Sequence, residues 1–209
     1  MKTVSSYEIA KMLLTVSQEM SLNKSYLVDI DSKIGDGDLG LTMEKGFVAA
    51  SRFAQANSKL PPSELLIKSG FEIIKVAPST MGNLMGSGLI QGGKAVNGKD
   101  TLSSSDLVLF MEGFLQGVLI RGKAQVGEKT IVDVLVPTVE KMKSYKGESP
   151  IEVLREGLKG AQEGIETEHE MMNQHGKAAV FREKTIGMKD PGSEAVLIMI
   201  KAFVEGLGS

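Results

Sequence analysis

Apolar residues along this chain recur three and four positions apart far more often than two apart, a spacing that predicts helices rather than strands. Ser5 and Glu8 form a capping box, and Ile9, Met12, Leu13 and Val16 follow on one helical face. A second helical stretch runs from about Asn23 to Lys33 and stops at a segment rich in Gly and Asp. The next, from about Thr42, carries Met43, Phe47, Ala50 and Ala54 until ANSKLPPSE breaks it. Pro62 and Ser63 open a helix with Leu66, Ser69, Gly70, Ile73, Ile74 and Ala77 on one face, and Pro78 ends it. The stretch STMGNLMGSGLIQGGKAVNG is glycine-rich at its start and apolar beyond Leu84, which predicts a loop feeding a helix.

Leu107, Phe110, Met111, Phe114 and Val118 mark another helix, and a further one covers about Thr130 to Tyr145, where Pro137 should bend it or mark its effective start. Ser149 and Pro150 then open a helix with Ile151, Leu154, Leu158, Ala161 and Ile165 in its stripe, expected to be the longest. The last begins with Asp190 as N-cap and Pro191 after it, followed by Val196, Ile200, Phe203, Val204 and Leu207. Two-residue alternation is nowhere sustained. The pattern predicts an all-α fold, one domain over residues 1–209, of about eight or nine helices whose short connections favour antiparallel neighbours.

Composition narrows what such a helical domain can do. Its 209 residues are enough for a sizeable core, and a hydrophobic content of 42% with 24% charged residues is ordinary for a globular chain. A net charge of -2 without a dense Lys/Arg run leaves no footprint for nucleic acid. There is no cysteine, so disulfides and thiolate metal sites are excluded, and any metal must take oxygen ligands or the two histidines. Glu8, Lys11 and Gln18 interrupt the N-terminal apolar residues, unlike a signal peptide, and no run approaches the roughly 18 apolar residues of a membrane helix. The expectation is a soluble, cytoplasmic protein.

Asp31, Asp36 and Asp38, in DSKIGDGDLG, crowd three carboxylates around one helix end, with glycines that let the backbone fold so that the side chains converge. The spacing lacks the twelve-residue frame of an EF-hand, so Mg2+ with bridging phosphates fits better than Ca2+. A solvated, helix-capping turn explains the same residues, and spacing alone leaves both readings open. The glycines of APSTMGNLMGSG expose backbone N–H groups that suit phosphate, although helix packing explains them too. In RGKAQVGEKTIVD, Arg121, Lys123 and Lys129 either face phosphates or line a solvated loop. His169 and His175 read as surface histidines rather than zinc ligands.

Taken in order, IGDGDLGLTMEKGF, RGKAQVGEKTIVDVLVP and KTIGMKDPGSEA resemble the nucleotide-binding L subunit of dihydroxyacetone kinases, over nearly the whole chain. The resemblance implies a closed barrel of eight antiparallel amphipathic helices with ADP or ATP at one end. By that resemblance Asp31, Asp36 and Asp38 hold a pair of Mg2+ ions that in turn hold the phosphates. It likewise sets Leu39, Gly40, Leu41 and Thr42 against the phosphates together with Leu84 and Met85, Gly122 and Ile131 near the adenine, and Asp190, Pro191 and Gly192 in a turn closing over the nucleotide. Lys177, in GKAAVF, falls where relatives usually place an arginine near the transferred phosphate. The chain also has Leu39 where many relatives have histidine, Asn83 for glycine, Met85 for a small hydroxyl residue and Ile131 for methionine, a cradle with fewer donors and more bulk.

The resemblance further implies transfer of phosphate to dihydroxyacetone or a similar short ketose, presented by a K-type sugar-binding subunit. ADP would stay bound and be rephosphorylated by a partner of the phosphoenolpyruvate-dependent phosphotransferase system. With 209 residues the chain has room only for the nucleotide domain, so a separate subunit is expected, and a homodimer is compatible with it. An ATP-consuming subunit for another short sugar and a non-catalytic regulatory module on the same fold are the alternatives.

Overall fold

The computed structural model describes residues 3–208; residues 1, 2 and 209 of the expected domain lie outside it. Among the described residues are nine α-helices: α1 (Ser6–Leu22), α2 (Lys24–Ile34), α3 (Leu39–Ala56), α4 (Pro62–Val76), α5 (Thr80–Ala95), α6 (Ser104–Gly122), α7 (Ile131–Ser144), α8 (Pro150–Glu168) and α9 (Pro191–Gly208). A 3-10 segment, Ala178–Thr185, lies between α8 and α9. Capping boxes, the expected one at Ser5 and two more, explain where several helices start. Ser5 pairs with Glu8, Ser103 with Asp106 and Thr130 with Asp133, each reciprocating side-chain and backbone bonds.

Each helix lies against the next in a closed circuit: α1 packs on α3, α3 on α4, and so through α5, α6, α7, α8 and α9 back to α1. Eight helices thus make the expected barrel, and α2 stays outside it, touching α3 and α9. The bore is filled by side chains, among them the fully buried Leu13, Met43, Phe47, Met85, Leu89 and Phe114. At the end where α1 and α6 begin, Val4 and Leu102 exchange backbone hydrogen bonds of 2.7 and 2.8 Å, an isolated antiparallel bridge that pins the N-terminal residues to the barrel. No helix of the described residues is long and apolar enough to cross a membrane.

Four sequence expectations need correction. The third helix begins at Leu39 rather than Thr42, because residues Leu39 to Leu41 already wind as its first turn. The fifth begins at Thr80 rather than beyond Leu84, since Ser79 Oγ accepts from Gly82 N at 3.1 Å and caps it, making the glycines helical. α8 shares its 19 residues with α6 and is not the longest alone. Pro137 does not mark the start of α7, which begins at Ile131 and runs through it to Ser144. α8 presses its glycines onto this stretch, so that a Cβ on Gly160 would lie 2.2 Å from Pro137 O and one on Gly164 2.5 Å from Asp133 O.

Candidate functional site

Alternation around the ring brings the N-termini of α3, α5, α7 and α9 to one end, where a cavity of about 770 Å3 opens. Leu39 and Thr42 of α3, Thr80, Met81 and Leu84 of α5, Ile131 and Val132 of α7, and Pro191 and Gly192 of α9 form much of its wall. First-turn N–H groups have no partner within their own helix, and aligned peptide dipoles add partial positive charge there. Four such ends around one cavity favour a ligand carrying negative charge. Met81, Leu84, Val118, Ala124 and Ile131 give the wall an apolar side suited to a flat ring.

At the cavity mouth, α2 ends and the turn to α3 brings Asp31, Asp36 and Asp38 together, with one carboxylate oxygen of each inside a 4.8 Å circle. Gly37, at φ 72°, adopts a backbone that L side chains rarely take, and a Cβ on Gly35 would lie 2.2 Å from Asp31 Oδ1, so both glycines are needed to bring the acids together. Asp31 Oδ2 accepts from Leu39 N at 3.1 Å. Asp38 stands at the N-cap of α3 without a side-chain capping bond, and it is Asp31 that takes the first N–H of the helix. An all-oxygen set of this kind fits a hard divalent cation such as Mg2+. Lys177 reaches across from the segment after α8 and pairs with Asp36 Oδ2.

On one side of the cavity Lys129, Asn173 and Asp190 of the wall join Glu168 in a buried polar cluster that sequence reasoning did not bring together. Lys129 has no solvent exposure, and its Nζ donates to Thr185 O at 2.7 Å and Met171 O at 3.2 Å. Burial pushes its ammonium below the ordinary lysine range, while Glu168 and Asp190 pull it back. Asn173 Nδ2 donates to Lys129 O at 2.8 Å and to Asp190 Oδ1 at 2.7 Å. Asp190 Oδ2 accepts from Ser193 N at 2.9 Å, so this residue is the expected N-cap of α9. Burial raises its carboxyl above the usual range. Glu168 accepts from Ser193 Oγ at 2.5 Å and burial pushes its carboxyl up to about 8.

Most candidates from the sequence meet at this cavity: Asp31, Asp36, Asp38, Leu39, Thr42, Leu84, Gly122, Ile131, Lys177, Asp190, Pro191 and Gly192 all line it. Gly40, Leu41 and Met85 do not. A Cβ on Gly40 would lie 2.2 Å from Lys24 O, making it a contact between α2 and α3; Leu41 is 54% exposed on the outer face; Met85 is 1% exposed in the bore. Asn83 likewise lies off the wall and returns its Nδ2 to Ser79 O at 2.8 Å. Residues 83 and 85 therefore do not project into the cavity. Arg121, in the last turn of α6, and Lys123, at its C-cap, are exposed and lie away from the wall. His175 is on the wall, with Nε2 2.6 Å from Glu128 Oε2. The loss of helical periodicity after Glu170 was the available signal that 171–185 forms a structured loop rather than a helix tail.

The helical fold is also seen in a solved kinase. The crystal structure of the dihydroxyacetone kinase from C. freundii in complex with AMP-PNP and Mg2+ matches with a TM-score of 0.71 over 94% of this chain, at 22% identity. This chain spans about a third, 33%, of that kinase's length, and the likeness is one of fold. Residues 33–205 match the DAK2 domain, and the chain belongs to that family. Among full-length relatives, the PEP-dependent dihydroxyacetone kinase ADP-binding subunit DhaL of Escherichia coli (strain K12) is 27% identical over 201 residues, covering 95% of this chain and 96% of the relative. The corresponding subunit of the second such kinase of Listeria innocua is 29% identical over 187 residues, covering 88% and 87%.

Proposed function

We propose that this chain is the nucleotide-binding subunit of a dihydroxyacetone kinase. It holds a magnesium-bound adenine nucleotide in the barrel-end cavity and passes the terminal phosphate to dihydroxyacetone, or a similar short ketose, carried by a separate K-type sugar-binding subunit. ADP then stays in place and is rephosphorylated by a phosphotransferase-system partner. The observation that carries the reading is the convergence of Asp31, Asp36, Asp38 and Lys177 with four helix N-termini on one cavity. Support for a separate subunit comes from the E. coli relative, of which the match covers 96%.

In this reading the three aspartates hold a pair of Mg2+ ions, which supply charge neutralisation for the phosphates. Backbone N–H groups at the starts of α3 and α5 orient phosphate oxygens, while Leu84 and Ile131 contact the base. The Asp190, Pro191 and Gly192 turn closes over the nucleotide. Lys177 brings positive charge to the phosphate being transferred. Phosphoryl transfer asks for positioning and charge rather than a protein nucleophile, and the wall offers no activated nucleophile.

The test is to denature the purified protein and identify the released small molecules by mass spectrometry. Adenine nucleotide should leave the wild type and be lost from the Asp36→Ala, Asp38→Ala double variant. Full retention by that variant would overturn the carboxylate assignment. Turnover on free ATP without the phosphotransferase partner would replace the bound-ADP cycle with an ATP-consuming one.

A further inference from the structure

We propose that Lys129 is a positioning residue for Lys177: its buried ammonium joins the two ends of the loop that carries Lys177 to the cavity mouth. The inference rests on the reading of Lys177 as the cation at the transferred phosphate. The geometry is that of a staple. One Nζ donates to Met171 O, where the loop leaves α8, and to Thr185 O, where it returns towards α9. Asn173 seals the same root, its N donating to Thr185 Oγ1 at 3.0 Å and its Nδ2 to Lys129 O and Asp190 Oδ1.

Between those ends the loop has little else to hold it in shape. Within the 3-10 segment only Thr185 is buried, and Val180 is 82% exposed. Gly176, immediately before Lys177, sits at φ 63°, and no side chain there could restrict the turn. Two further anchors, Gln174 N to Glu128 O at 3.1 Å and His175 Nε2 to Glu128 Oε2, go to the residue beside Lys129, while Gly187 N donates to His169 O at 2.8 Å across the root. The segment 128–129 therefore holds the stretch leading to Lys177 at several points, and the pair with Asp36 holds its tip.

Lys129 itself is expensive to build. Its backbone lies at φ 53°, in the left-handed region that disfavours a long side chain, and its charge is removed from water. An apolar residue would fill the same space without a buried charge. What an apolar residue cannot supply is simultaneous donation to Met171 O and Thr185 O, the second of which also accepts from Met188 N at 3.1 Å.

The test uses Lys129→Met, which keeps length and removes the charge, in phosphoryl transfer reconstituted with the partner subunits. The kcat should fall about 10- to 100-fold, the scale of a small misplacement of a reacting group. Nucleotide affinity by calorimetry should change less than about threefold, because the loss falls on a step beyond binding. In a Lys177→Ala background, Lys129→Met should cost nothing further. Losses that multiply, an unchanged kcat, or a loss confined to nucleotide binding would each overturn the proposal.

A second readout needs neither sugar nor partner. Trypsin cleavage after Lys177 and Arg182 should speed up at least about tenfold in Lys129→Met, with helical circular dichroism unchanged, as expected for local opening. Unchanged cleavage would overturn the staple even if the kinase reading holds. Faster cleavage in a protein that transfers no phosphate even with the partner subunits present would sink the kinase reading and leave the staple standing. Should Lys129→Met fail to fold, Asn173→Ala removes the neighbouring tie and must show the same dependence on Lys177.

Discussion

Glu168 makes the stability of this barrel depend on pH in an unusual direction. It lies at the end of α8, 2% exposed, with Ser193 Oγ donating to it from α9. Burial is the main reason its carboxyl rises from 4.5 to about 8, and the neighbouring Asp190 adds to the rise, while the Ser193 hydrogen bond and the Lys129 charge oppose it. Between those two values the folded protein holds a proton that the unfolded chain has released. Stability on this account is greatest below about pH 4.5, falls as pH rises through the window, and levels off above about pH 8. One proton gives a slope of at most about 1.4 kcal/mol per pH unit, so the loss from about pH 6 to about pH 8 is at most about 3 kcal/mol. For a chain of this size that is a fall of at most roughly 6–12 °C in Tm. Glu168→Gln preserves volume and the acceptor for Ser193 but cannot ionise. Urea unfolding across the same range should show the variant flatter than the wild type, and the difference between the two isolates Glu168 from Asp190, whose buried carboxyl shifts the same way. Equal slopes in both proteins would refute the argument.

Two further substitutions test the packing that holds the cavity open. Gly160→Ala puts a Cβ 2.2 Å from Pro137 O, so α7 and α8 must separate; a loss of about 1–3 kcal/mol in urea unfolding is expected, and a neutral result would mean the helices are less closely packed than they are here. Thr130→Ala removes the hydroxyl that accepts from Val132 N at 3.2 Å and should cost about 1 kcal/mol, read from the same unfolding curves.

The helices were legible because each buries one stripe, and the stripes of α1, α4, α6 and α9 are regular enough to read without the structure. Boundaries failed where glycine was taken as a loop signal: in α5 the glycines let neighbouring helices approach, and a Cβ on Gly86 would lie 2.7 Å from Gly70 O. Asp31, Asp36 and Asp38 were legible as a group because they are close in sequence. Lys129 was not, because its partners, Met171 and Thr185, are 42 and 56 positions away. In a one-dimensional reading a lysine in a loop belongs in solvent, and only the fold shows that two carbonyls have replaced water around it. Gly40, Leu41 and Met85 lie off the wall for a related reason. A contiguous motif was carried over whole, whereas successive positions on a helix turn by about 100° and cannot all face one cavity.

The route from α1 to α3 shows how chain direction serves the site. These two helices pack side by side in the ring, and a short hairpin between them would close the barrel. The chain instead runs through residues 23–38, forming α2 outside the ring before α3 begins. α2 buries Leu27, Ile30 and Ile34, and Lys24 pairs with Glu44 of α3 at 3.0 Å, so the detour is firmly seated. Near the α9 start, Lys189 bonds Tyr26 OH at 2.7 Å and Glu194 at 2.9 Å, fixing the other side of α2 against the turn that bounds the cavity. Asp31 therefore approaches from outside the ring while Asp38 sits on the first turn within it, and the glycines between them close the gap. Three mutually repelling carboxylates could not be held so close by one flexible turn alone. Seated α2 and the first turn of α3 supply two rigid walls for them, and Lys177, carried on its stapled loop, supplies the opposing charge from a third side.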